Sequence, residues 1–108
     1  VLIGSDDTPA ATGIEPVSQQ QSDALTSMMR SAVTDGTADV LDDVPGAPVV
    51  AKTGTAEYGT NDPPDTHGWM VAVQDDLAVA VFVEDAESGS GTAGPIMRDF
   101  LTQVGREP

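Results

Sequence analysis

The chain has 108 residues, with 18 acidic against 4 basic side chains and a net charge of −14. So few cations leave no basic face to displace the counterions of a nucleic acid or to dock on anionic lipid. Without cysteine there is no disulfide, zinc thiolate or thiol nucleophile, and no apolar run reaches the length of a membrane span.

The acid excess reads as a solvated surface, in keeping with adaptation to high salt. Its sharper consequence is that Lys52 is the sole lysine, beside Arg30, Arg98 and Arg106. The aromatic residues are Tyr58, Trp69, Phe82 and Phe100, so the core must be built mainly from Val, Leu, Ile, Met and Ala. The chain opens in the apolar Val1-Leu2-Ile3 with no signal peptide, which suggests a piece of something longer.

Residues 4–17 mix Gly, Pro, Asp and Thr and read as loop. Ser18 opens a helix, because Ser18 with Gln21 forms a capping-box pair. Leu25, Met28, Met29, Ala32 and Val33 recur at helical spacing as one apolar face. The two methionines read as core filler. Asp35-Gly36 supplies the stop, with Gly36 suited to a left-handed position after the helix.

Residues 37–48 are a connection rich in Asp, Pro and Gly. Three strand-like runs follow: 49–55, 68–73 and 77–83. In the second, Trp69, Val71 and Val73 share one face and Met70 and Ala72 the other. The third, Leu77 to Val83, is apolar on both faces, the mark of a central strand covered on both sides. Gln74-Asp75-Asp76 is short enough for a hairpin, 61–65 is a longer loop, and 85–94 reads as a mobile linker. Pro95 suits the first turn of a last helix. Ile96, Met97, Phe100, Leu101 and Val104 form its apolar face, and Gly105 follows its end.

The pattern predicts an α+β fold: an antiparallel sheet of about three strands with flanking helices. The third run poses a problem, since pairing with the second alone leaves its other edge open. The missing N-terminal part of the same domain, or a second copy of the chain, is expected there.

The run Val50-Ala51-Lys52-Thr53-Gly54-Thr55-Ala56-Glu57 resembles the Lys-Thr-Gly strand of the penicillin-binding proteins and serine β-lactamases. Gly36-Thr37-Ala38 before it resembles the end of the helix that precedes this strand in transpeptidases. His67-Gly68-Trp69-Met70 and Ala93-Gly94-Pro95-Ile96-Met97-Arg98-Asp99-Phe100 follow in the expected order. The resemblance spans roughly residues 14–104 and makes residues 1–108 the C-terminal portion of one incomplete transpeptidase domain. The family's Ser-x-x-Lys and Ser-x-Asn motifs are absent: Val49 stands three before the sole lysine, and Gly59 two before the sole asparagine, Asn61.

The resemblance implies serine acyl transfer on peptidoglycan stem peptides, with β-lactams acylating the same serine. Lys52 would supply a fixed charge, Thr53 and Thr55 hydroxyls for the substrate carboxylate, and Gly54 close approach of the substrate backbone. The Thr55 amide would be one of two oxyanion donors. Strand alternation puts Thr53 and Thr55 on one face and Lys52 and Gly54 on the other, so they converge only on a ligand along the edge of a twisted edge strand. Without the nucleophile motif the chain alone is expected to be inactive. No cofactor or metal is implied. The location implied is the extracytoplasmic face of a bacterial membrane. A D,D-carboxypeptidase or β-lactamase, or a β-lactam-sensing or interaction module without catalysis, are the alternatives.

Other residues have plainer readings. His67 is expected to be structural, and Trp69 a packing residue. Glu57 and Tyr58 could line the groove. Asp6-Asp7, Asp42-Asp43 and Asp75-Asp76 lack a calcium-loop pattern and read as solvated loop charges.

Overall fold

A computed structural model describes residues 13–106; the expectations for residues 4–12, including Asp6-Asp7, lie outside the described residues. The first helix, α1, runs Gln19–Asp35. Its capping box is complete: Gln21 N–H donates to Ser18 Oγ at 3.1 Å, and Ser18 N–H to Gln21 Oε1 at 3.0 Å. The helix stops at Gly36, but in an extended rather than the expected left-handed conformation (φ −125°). Close approach explains the glycine there. A Cβ at Gly36 would stand 3.0 Å from both Cα and O of Ala32. The Ala38 amide then reaches back to the Ala32 carbonyl at 3.0 Å.

The expected apolar face of α1 divides. Val33 is buried, yet Leu25 is 52% and Met28 64% exposed. The methionine pair is therefore not core filler among the described residues. Only the last turns of the helix meet the core, so the earlier apolar positions stay open.

The connection after α1 is more structured than expected. It holds a 3₁₀ turn, Asp39–Leu41, and buries Ala38, Leu41 and Val44. Gln74 Nε2 donates to the carbonyls of Pro45 and Ala47 at 3.0 and 2.9 Å, which ties this connection to the sheet.

Three antiparallel strands follow, in the order β1-β2-β3: β1, Val50–Tyr58; β2, Asp65–Gln74; β3, Leu77–Val83. The sheet thus has the expected class and number of strands. Strands β1 and β2 run past the expected 49–55 and 68–73, because pairing continues through Ala56↔His67 and Glu57↔Thr66 to Tyr58↔Asp65. A two-residue turn, Asp75-Asp76, joins β2 to β3, with Asp75 in the left-handed region at φ +54°, as such a tight turn demands.

One face of the sheet carries Ala51, Met70 and Ala72. It packs with Leu41, Val49, Ala93, Met97 and Leu101 into the core, flanked by Leu77, Val79, Val81 and Val83. The other face leaves Trp69, Val71 and Phe82 exposed. β3 is therefore packed on one face only, contrary to the expectation of cover on both. Its outer edge has no strand partner among the described residues.

Residues 85–94, expected to be a mobile linker, instead form a wide helical turn, Gly89–Ala93. Ser88 Oγ accepts from Gly91 N–H at 2.8 Å, and Gly89 and Ala93 are buried. The turn runs directly into α2, Gly94–Arg106. Pro95 lies in its first turn as expected, but Gly105 is inside the helix rather than beyond it. The expected apolar face of α2 also divides: Met97 and Leu101, one turn apart, are buried, whereas Ile96, Phe100 and Val104 are exposed. Arg98 clasps Asp43 through two bonds of 2.9 and 2.7 Å, joining α2 to the connection after α1.

Candidate functional site around the Lys52-Thr55 strand

Strand β1 lies at one end of the sheet, so its outer edge has no strand partner among the described residues. That is the topology an edge-bound ligand requires. The register puts Lys52 opposite Val71 and Gly54 opposite Trp69, on the apolar face. Thr53 and Thr55 lie opposite Met70 and Gly68, on the core face. The alternation expected from sequence therefore holds.

Lys52 is exposed, and its Nζ donates to the Thr53 carbonyl at 2.6 Å. The lysine stands at the mouth of an open groove of about 640 Å³ between α1 and the sheet, whose walls include Leu25, Met28, Met29 and Val71.

Each threonine hydroxyl is held from outside the strand. Thr53 Oγ1 lies 2.8 Å from Thr37 Oγ1, and Thr55 Oγ1 accepts from the Gly89 N–H at 3.0 Å. Gly89 reaches so far because it has no side chain. A Cβ there would stand 2.5 Å from the carbonyl oxygens of Gly54 and Trp69 and 2.9 Å from Gly54 N. Gly68, opposite Thr55, gives room in the same way: a Cβ would meet that of Ala86 at 2.7 Å and the Ser88 carbonyl at 3.0 Å. Residues 86–89 thus cross the core face of the sheet directly behind the Lys-Thr-Gly-Thr run.

Sequence reasoning noticed Gly36-Thr37-Ala38 only as part of a resemblance and read Gly89 as linker. The usable signal was the pair of glycines, one in a strand and one where a loop must cross it.

An aromatic row runs over the apolar face. Tyr58 stacks on His67 with centroids 3.9 Å apart, His67 meets Phe82 at 5.0 Å, and Phe82 meets Trp69 at 4.5 Å. His67 Nδ1 lies 2.7 Å from the Glu84 carbonyl, which can only accept, so this nitrogen carries the proton. His67 has the structural surroundings expected of it. Trp69 packs on Phe82 but remains 42% exposed, so it is only partly the packing residue expected. The Tyr58 hydroxyl donates to Asp85; this bond, aided by burial and nearby carboxylates, pushes the phenol pKa up to about 12. Glu57 is exposed.

The acidic pairs are less idle than expected. Asp43 is clasped by Arg98, which holds its carboxyl below the ordinary value, and Asp42 lies 3.7 Å from Arg30. Asp75-Asp76 makes the hairpin. Among the described residues no group of three or more His, Cys, Asp or Glu is placed to hold a metal ion. Among them too, no helix is long and apolar enough to cross a membrane.

Known proteins resemble this chain. A sequence model of the penicillin binding protein transpeptidase domain matches residues 2–102. The peptidoglycan D,D-transpeptidase PbpA of Mycolicibacterium smegmatis (strain ATCC 700084 / mc(2)155) is 41% identical over 76 residues. That match covers 59% of this chain and 15% of the relative.

Proposed function

The chain belongs to the penicillin-binding protein transpeptidase domain family, and from that premise we propose that it supplies the substrate-carboxylate strand of a peptidoglycan D,D-transpeptidase. The observation that carries this reading is the Lys52-Thr53-Gly54-Thr55 run on an edge strand, with both threonine hydroxyls held in place.

The division of labour follows from the chemistry of the groups. A stem peptide ending in a carboxylate lies along the outer edge of β1. Lys52 provides a fixed positive charge, and the hydroxyls of Thr53 and Thr55 donate to the carboxylate oxygens. Gly54 leaves room for the peptide backbone. The Thr55 N–H is one of two donors to the oxygen that becomes negative when a serine attacks the scissile carbonyl. Such a donor contributes about 3 kcal/mol to the transition state. The serine is not on this chain, which contains no Ser-x-x-Lys. It belongs to the N-terminal part of the same domain, so residues 1–108 form the C-terminal portion and are inactive alone.

That missing part has a natural seat. The unpaired edge of β3 would add a strand, and Trp69, Val71 and Phe82 form exposed apolar surface on one face of the sheet, with Leu25 and Met28 exposed on α1 beside β1. The whole protein acts at the extracytoplasmic face of a bacterial membrane, and β-lactams, which carry a comparable carboxylate, compete for the same clamp.

The test is labelling of the complete domain by a fluorescent penicillin. Lys52→Ala should slow acylation about 10- to 100-fold, the worth of a charge-assisted contact. Labelling at the wild-type rate would remove Lys52, and with it the proposed clamp. Hydrolysis of stem peptides without cross-linking would favour a carboxypeptidase instead.

A further inference from the structure

We propose that Thr37 and Gly89 are positioning residues: they turn the hydroxyls of Thr53 and Thr55 into donors aimed at an anionic ligand. The inference rests on the reading of residues 52–55 as a carboxylate clamp and goes beyond it, to what gives that clamp its preference for charge.

A threonine hydroxyl is ambivalent, with one proton to give and lone pairs to receive. A carboxylate only accepts, so a clamp works when the protons face it. The Gly89 N–H can only donate. At 3.0 Å from Thr55 Oγ1 it takes one of the oxygen's two lone pairs and fixes the oxygen on the Gly89 side as an acceptor, so the hydroxyl proton turns away from Gly89 and is free for the ligand. Thr37 acts in parallel at Thr53, 2.8 Å away. Once the Thr53 proton goes to the ligand, Thr37 must be the donor of the pair. The chain Thr37 O–H to Thr53 O–H to carboxylate then polarises in one direction, and each bond strengthens the next.

Both partners are firmly placed. Thr37 sits between Gly36, pressed against Ala32, and Ala38, whose amide bonds the Ala32 carbonyl at 3.0 Å. Gly89 begins a turn fixed by Ser88, whose carbonyl accepts from Thr92 N–H at 3.1 Å. The atoms that exclude a side chain at Gly89 are backbone atoms of β1 and β2, so they cannot rotate away. A neutral ligand lacks the full charge that rewards this alignment, so the arrangement selects for free carboxylates.

The experiment compares acylation rate constants of the complete domain for a penicillin and for its methyl ester. Thr37 is exposed, so Thr37→Val should fold. It should slow the penicillin about five- to tenfold and leave the ester within about twofold, and Thr37→Ser should restore the rate. Thr55→Val, which removes the acceptor of the Gly89 amide, should raise hydrogen exchange at that amide about tenfold. Equal losses for both ligands in Thr37→Val, or none, would overturn the proposal, as would unchanged Gly89 exchange in Thr55→Val. A wild-type domain that treats the two ligands alike would sink the clamp itself, a different outcome from a selective wild type that tolerates Thr37→Val.

Discussion

Replacing Gly89 with alanine is the most searching perturbation of this fold. The new Cβ would lie 2.5 Å from two carbonyl oxygens, of Gly54 and of Trp69, against an ordinary contact of 3.4 Å or more. These residues face each other across β1 and β2, so relief by spreading the strands would break their ladder. Relief by lifting the turn would break the bond from Gly89 N–H to Thr55 Oγ1. Overpacking costs about 1–3 kcal/mol, and a lost hydrogen bond about 0.5–1.5. The sum, about 1.5–4.5 kcal/mol, is a large share of the ~5–15 kcal/mol that keeps a domain folded. Urea denaturation followed by Trp69 fluorescence measures it. Gly105→Ala is the control, because nothing lies within 4 Å of its Cβ; the helix should gain a few tenths of a kcal/mol. A loss below about 0.5 kcal/mol for Gly89→Ala would refute the claim that the turn presses on the strand.

Ser18→Ala should cost about 1 kcal/mol by removing the capping box, seen as lower helicity by circular dichroism. Arg98→Gln should lower the melting temperature near neutral pH. Because Arg98 depresses the folded pKa of Asp43 below 3.8, its contribution is complete above that value and fades as pH falls through the folded pKa. The melting curves of variant and wild type should therefore converge in acid. Tyr58 is the only tyrosine, so absorbance titration follows it alone. It should ionise near pH 12, and Asp85→Ala should return it toward 10. Any stabilisation from that bond is complete below pH 10 and lost as pH rises toward 12.

The sequence carried its local signals well. The capping box located the start of α1, and the alternation of Leu77 to Val83 bounded β3 to the residue. Lys52 to Thr55 stood out through composition and motif together. What escaped was whatever depended on distant partners. Leu25 and Met28 have the right spacing for a buried face, but spacing does not say which part of a helix meets the core. Glu57 and Thr66 fall outside the expected strands 49–55 and 68–73, yet pairing carries them into the sheet. Gly89 looked like linker because its role is defined by Gly54 and Trp69, residues far away in sequence. Thr37 reaches Thr53 across 16 positions, and no local pattern encodes that contact.

The central claim is that this chain holds the clamp but not the nucleophile. It is tested most directly by incubating residues 1–108 with fluorescent penicillin, then repeating this with an N-terminal transpeptidase segment bearing Ser-x-x-Lys and Ser-x-Asn. No covalent label is expected on the chain alone. With the segment present, label should appear on the segment's serine, and about 10- to 100-fold more slowly with Lys52→Ala. A stable adduct on the isolated chain would contradict the account.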